Sequence, residues 1–178
     1  MEHAKAPDSS ADRPRALYDE ILAWMYREAE LLDDLREREW LETMVAPDIV
    51  YQMPIRQTVK RADGRGFLVN AYHLDESYGS LLSRIQRTET EFAWSEDPPS
   101  PSRHFVSNVR LCGAHEADVE VKSNLLLFRS RGDHPEPTLL AAERRDTLSR
   151  NGGGLRLKRR LVLIDITVLE THNLSVIF

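Results

Sequence analysis

The sequence predicts an α+β domain: helices first, then a curved, mostly antiparallel sheet wrapped over them. Three observations predict it. Up to about residue 90 the apolar residues recur mainly at helical spacing, and after about residue 105 they alternate. The later runs are long and joined by short glycine-bearing turns, which makes neighbouring strands antiparallel. Between the halves, Pro98-Pro99-Ser100-Pro101 carries three prolines in four positions. Each lacks an N–H and fixes its φ, so an ordered extended connection is expected there.

Residues 1–14 are polar and patternless and read as a disordered or extended leader; 15–178 read as one domain. A first helix is expected from about Arg15 to Leu32. Leu17, Ile21, Met25 and Leu32 form its stripe, Trp24 and Leu31 flank it, and Asp12 and Pro14 stand at its start. A second helix from about Leu35 to Val45 presents Trp40, Leu41 and Met44, and Ala46-Pro47-Asp48 stops it. Ile49, Tyr51 and Met53 share one face of a strand from Ile49 to Ile55. Turn residues follow at Arg61 to Gly66. A third helix is expected from Asp75 to Thr88, with Tyr78, Leu81, Leu82 and Ile85 on one side and Asp75 and Glu76 at the positive end of its dipole. Four strands come next: one opening on Phe105, Val109 and Leu111, then Val119 to Arg129, Thr138 to Leu148 and Leu155 to Leu169. Gly113, Gly132 and Gly152-Gly153-Gly154 mark the turns between them.

Both faces of Leu161 to Leu169 are largely apolar, as is Leu125-Leu126-Leu127-Phe128. Helices cover one face of such a sheet. The other either closes on itself or meets another subunit, and the rarity of large exposed apolar patches on monomers favours the subunit. The apolar end of the chain, Leu174 to Phe178, is expected to dock.

Composition excludes several classes. A net charge of −5 argues against binding a phosphate backbone. No apolar run is long enough to span a membrane and no signal peptide is visible, so a cytoplasmic protein is expected. The single cysteine, Cys112, allows no intrachain disulfide. It reads as a small core residue, since no neighbour is identifiable to activate the thiol. Arg131-Gly132-Asp133 suits a hairpin loop, Asn173-Leu174-Ser175 is a sequon without a secretory signal, and the triple glycine lacks the lysine and context of a phosphate loop. Arg156, Lys158 and Arg160 are expected on one strand face as a solvated or salt-bridged edge, with acids available at Glu143, Asp146, Glu116, Asp118 and Glu120.

Several segments carry a family resemblance. They are Tyr26 to Asp34, Trp40-Leu41 with Ile49 to Arg56, Trp94-Ser95-Glu96-Asp97-Pro98-Pro99-Ser100 with Arg103-His104 and Ser107-Asn108-Val109, Ser123 to Arg131, Glu143 to Asp146, and Asn173 to Phe178. In this order and spacing, from about Tyr18 onward, they resemble the small (beta) subunit of bacterial aromatic-ring-hydroxylating dioxygenases. Nothing before Arg15 matches. The resemblance implies a cone-shaped fold similar to nuclear transport factor 2 (NTF2-like, SnoaL-like) and to small isomerases and dehydratases. It implies an α3β3 hexamer in which this chain also self-associates as a trimer. It places a Rieske 2Fe-2S cluster and a mononuclear iron in the large (alpha) subunit, with none in this chain. Electrons from NAD(P)H arrive through a reductase and ferredoxin for cis-dihydroxylation of an aromatic hydrocarbon by O₂. The small subunit is usually structural in such enzymes and in some influences substrate range.

One cysteine cannot supply the two that a Rieske centre needs. The six histidines are scattered, none three or four residues from another. The interface candidates are Trp94, Glu96, Asp97, Pro98, Pro99, Arg103 and His104, for Trp and Arg anchor interfaces and the prolines stiffen the segment. The alternative is a stand-alone isomerase or dehydratase on the same cone, using Tyr51, His104 and Asp165 for proton abstraction. No spacing places those three together, so a hydrogen-bonded structural set is the simpler reading. The aromatic substrate is not legible.

Overall fold

The helical stripe of the N-terminal segment becomes α1, Ser9–Asp33, in a computed structural model that describes residues 9–89, 100–115, 117–130, 136–150, 153–168 and 176–178. Ile21, Trp24, Met25, Leu31 and Leu32 are buried along it. The helix begins before Arg15, so residues 9–14, expected as leader, are helical. Ala11 and Arg13 have the propensity for this, which offsets Pro14, a residue past the first turn that has no N–H to give the helix. At the other end Arg36 N–H donates to Leu31 O at 2.8 Å and Leu35 N–H to Leu32 O at 3.3 Å. Leu35 takes φ 57° to close this turn. The paired 6→1 and 5→2 bonds end a helix sharply, and they fold α2 (Glu37–Met44) back so that Trp40, Leu41 and Met44 are buried.

β1 (Val45–Arg56) follows directly, with Ile49, Tyr51 and Met53 inward as the alternation predicts. A strand that sequence reading missed, β2 (Phe67–Glu76), pairs antiparallel with it. Its signal is broken by an irregular register around Pro54 and by Asn70 at φ 60°. Asp75 and Glu76 therefore end a strand rather than begin a helix. α3 (Tyr78–Thr88) starts at Ser77, whose side chain accepts from Ser80 N–H while Ser80 Oγ accepts from Ser77 N–H. This reciprocal box satisfies two donors that would otherwise be orphaned, and so fixes the boundary.

The meander is β3 (Ser102–His115), β4 (Asp118–Arg129), β5 (Thr138–Arg150) and β6 (Leu155–Ile164), all antiparallel. The six strands order as β2-β1-β6-β5-β4-β3, and β1 joins β6 in parallel. The helices cover one face. α1 is tied to it where Trp24 Nε1 donates to Leu155 O at 2.9 Å and the Tyr18 hydroxyl to Val109 O at 3.2 Å. Phe105 lies on the opposite face, 55% exposed, because Ser102 and His104 take the inward phase of β3.

β6 carries one extra residue. Leu148 pairs with Leu157, yet Thr147 pairs with Arg159, which leaves Lys158 unpaired. A bulge of this kind reverses the side-chain phase. Leu155 and Leu157 face inward before it; Arg160, Val162 and Ile164 face inward after it. Arg160 is thus fully buried and does not share a solvated edge with Arg156 and Lys158, contrary to the expectation from simple alternation.

Ser77→Ala removes the α3 cap. It is expected to cost about 0.5–2 kcal/mol, read as a lower urea midpoint with an unchanged slope.

Candidate functional site

The register of the sheet sets a row of polar side chains in the middle of the covered face. Tyr51 on β1 lies beside Arg160 on β6, Arg160 beside Asp146 on β5, and Asp146 beside Val121 on β4. One step along, Arg144 lies beside Ser123. All are buried, and α1 brings Glu28 down onto them, 1% exposed.

Arg160 binds Asp146 through two parallel bonds, Nε to Oδ1 at 2.9 Å and Nη2 to Oδ2 at 2.8 Å. Its Nη2 also reaches Glu28 Oε2 at 2.8 Å, and its Nη1 donates to the backbone oxygen of Phe178 at 2.8 Å. Arg144 donates to the same Glu28 oxygen at 3.0 Å and to Ser123 Oγ at 3.2 Å. Trp40 Nε1 donates to Glu28 Oε1 at 3.0 Å. Two cations face two carboxylates, and the bidentate fork is the strongest geometry available to such a pair.

Burial alone would raise the Glu28 carboxyl. The charges of Arg160 and Arg144 and the bonds from Arg160 and Trp40 outweigh it and hold the group below its ordinary value. Burial alone would lower Arg160, but Asp146 and Glu28 push it well above the usual arginine range. Arg144 goes the other way: burial and then the charge of Arg160 lower it, more than Glu28 and Asp146 restore. Burial raises the Tyr51 phenol, more than Arg160 and the bond to Phe178 lower it, so it stays protonated.

The end of the chain enters this site. Tyr51 Oη donates to Phe178 O at 3.0 Å and accepts from Phe178 N–H at 2.8 Å. His104 Nε2 faces Ile177 O at 2.8 Å, and its Nδ1 faces Asp33 Oδ1 at 2.6 Å. Each ring nitrogen of His104 thus faces an oxygen within hydrogen-bond distance. Phe178 is fully buried and Ile177 nearly so.

Of the three residues considered for proton abstraction, the structure brings Tyr51 and His104 to adjacent residues of the tail, Phe178 and Ile177, and leaves Asp165 apart. Asp165 is half exposed and pairs with Arg56 at 2.9 Å, beside an open groove of about 650 Å³ that also includes Arg65 and Thr58. Of the interface candidates, Trp94, Glu96, Asp97, Pro98 and Pro99 lie outside the described residues. The Arg103 side chain is exposed and reaches Asp33 at 3.5 Å. The His104 ring points inward and is unavailable to a partner. Cys112 is exposed rather than a core residue, at a cleft of about 270 Å³ on the outer sheet face. Among the described residues no three of His, Cys, Asp and Glu gather as a metal site.

The core of this site, Glu28, Arg144, Asp146 and Arg160, was not singled out from sequence as a unit. Two signals were present. Glu28 interrupts the α1 stripe between Met25 and Leu32, and Arg144 and Asp146 fall in phase with the inward Leu140, Ala142 and Leu148. A charge on a buried phase marks a partnered network. The bulge hid Arg160.

Residues 27–171 match the model of the ring hydroxylating beta subunit family. A benzene 1,2-dioxygenase subunit beta from Pseudomonas putida is 37% identical over 169 residues, covering 91% of this chain and 89% of its own. A solved naphthalene 1,2-dioxygenase with indole in its active site superposes with a TM-score of 0.79 at 27% identity, covering 97% of this chain and 88% of its own. A Novosphingobium aromaticivorans protein described as a scytalone dehydratase candidate shares the fold, with a TM-score of 0.65 at 15% identity, covering 88% and 89%.

Arg160→Met leaves Glu28 and Asp146 short of their cation and is expected to cost about 3–5 kcal/mol, measured by urea unfolding at pH 7. Glu28, whose folded pKa is depressed, contributes stability above its ordinary value that is lost as pH falls through the lower folded value. Glu28→Gln is therefore expected to be less stable than the native chain at pH 7, with the gap narrowing below about pH 4.3. A gap independent of pH would contradict this assignment.

Proposed function

The chain belongs to the ring hydroxylating beta subunit family, and from that premise we propose that it is the structural, non-catalytic small subunit of an aromatic-ring-hydroxylating dioxygenase. One observation carries the reading. The inner end of the cone, where an enzyme of this fold would need room for substrate, holds Phe178 and a set of ionic groups bonded to one another. Glu28, Asp146, Tyr51 and His104 are each engaged, and Asp165 stands elsewhere, which speaks against a stand-alone isomerase or dehydratase.

Oxidation then belongs to the large subunit. It carries the Rieske 2Fe-2S cluster, for which this chain's single cysteine is too few, and the mononuclear iron. Electrons from NAD(P)H reach it through a reductase and ferredoxin, and an aromatic hydrocarbon is cis-dihydroxylated. The relatives named for benzene and naphthalene support that substrate class. No helix among the described residues is long and apolar enough to cross a membrane, in keeping with a cytoplasmic assembly.

The assembly is three large and three small subunits, and the small ones meet through the uncovered sheet face. Phe105 lies beside Leu126, and Leu139 beside Phe128. Phe105, Leu126 and Leu139 are 55%, 41% and 56% exposed. A contiguous apolar patch of this kind is unusual on a monomer. The large subunit docks at the proline-rich segment from Trp94 to Pro99 and the exposed Arg103 beside it.

Purified alone, the chain is expected to sediment as a trimer and leave benzene and naphthalene unchanged, with turnover appearing on reconstitution with a large subunit. A monomer that oxidises or isomerises a substrate unaided would overturn the reading. Phe105→Asp with Leu139→Asp is expected to shift the trimer toward monomer without unfolding it, by sedimentation velocity. Trp94→Ala and Arg103→Ala are expected to lower the amount of large subunit that co-purifies; unchanged stoichiometry in both would move docking elsewhere.

A further inference from the structure

We propose that the inside of the cone is a binding site for a ligand built as an aromatic ring on an acylated amino-acid frame, and that residues 176–178 are its resident occupant. The last residues are recognised as a ligand is. The main-chain groups of Ile177 and Phe178 are met by side chains from three different strands: His104 of β3, Tyr51 of β1 and Arg160 of β6. Among the described residues no ladder bond to a strand holds them. The Tyr51 hydroxyl reads the N–H and the oxygen of the same residue, a pattern that fits one acylated amino acid. The ring of Phe178 is fully buried. An apolar pocket with a few convergent polar groups is how small-molecule sites are built.

The polar groups are also preorganised. Asp146 and Glu28 hold Arg160 through three bonds that do not involve residue 178. Asp33 holds His104 in the same way, and it takes the backbone N–H of His104 at 2.9 Å as well. In the same network Arg144 keeps a spare donor: its Nη2 is buried with no hydrogen-bond partner. A buried donor without an acceptor is costly, and a second ligand oxygen would satisfy it. The ligand class is therefore an N-acylated aromatic amino acid or a peptide carrying one, with a carboxylate or amide oxygen toward Arg160. This site does not depend on the large subunit, so its failure would leave the assembly role intact.

The test uses the chain shortened to end at Ser175, with acetyl-Val-Ile-Phe and acetyl-Val-Ile-Ala as probes. The shortened chain is expected to bind the phenylalanine peptide about tenfold more tightly than the alanine peptide, and Tyr51→Phe in the same background to weaken it by about tenfold. The full chain is expected to bind neither. A folded shortened chain that ignores both peptides at millimolar concentration, or does not distinguish them, overturns the proposal; so does equal binding by the full chain. If the shortened chain is unfolded on its own, the phenylalanine peptide must restore its near-UV circular dichroism, and no recovery also overturns the proposal. In the full chain, Tyr51→Phe is expected to speed hydrogen exchange at the Phe178 amide by about tenfold while Leu127 is unaffected. Unchanged exchange at Phe178 would show that the hydroxyl does not hold it.

Discussion

Arg160 sits at zero exposure in the middle of the sheet, and the rest of the structure is arranged so that its charge is met. Moving a guanidinium out of water costs several kcal/mol, which is recovered only with good geometry and complete hydrogen bonding. The partners come from three parts of the chain: Asp146 from β5, Glu28 from α1, and the backbone oxygen of Phe178. A slip of β5 against β6, or of α1 along the sheet, would strand one of these charges. Apolar packing also opposes such a slip, which would turn the inward side chains outward, and the directional ion bonds add to that penalty. The ion network therefore works less as a source of net stability than as a constraint on register.

The same constraint explains the asymmetry between the two buried arginines. Arg160 faces two carboxylates and is held charged, whereas Arg144 shares Glu28 with it and feels its repulsion. Four charges in one small volume can balance in sum without each being equally served. Trp40 adds a neutral donor to Glu28, which couples the turn at Leu35 to the network, since that turn folds α2 over α1. A local backbone device at the surface thus serves a contact at the centre.

A cone of this kind has two surfaces with different chemistry. Inside, most polar groups are matched to one another and to the chain's own residues, Arg144 Nη2 being an exception. Outside, the sheet carries Phe105, Leu126 and Leu139 at one end and Glu143, Arg145 and Lys122 further along. An interior whose groups are mostly engaged and an exterior with uncovered apolar area together suit a subunit that contributes shape to an assembly.

Apart from β2, the order of the elements was legible from the sequence because periodicity is a local property: the stripe of α1, the alternation of β4 and β5, and the inward Ile49, Tyr51 and Met53 all followed from it. The family was legible from short segments in a fixed order. Even the inner site left traces, in Glu28 on an apolar stripe and Arg144 and Asp146 on an inward phase. Other features were decided by the tertiary structure alone. β2 needed β1 as a partner, since its own pattern is interrupted at Asn70. The unpaired Lys158 turned Arg160 from an expected edge into the centre, and the parallel pairing of β1 with β6 set Tyr51 beside it. Bulges and strand pairings are settled by which arrangement leaves the fewest charges and donors stranded, and that balance is struck between residues more than a hundred positions apart, as Glu28 and Arg160 are.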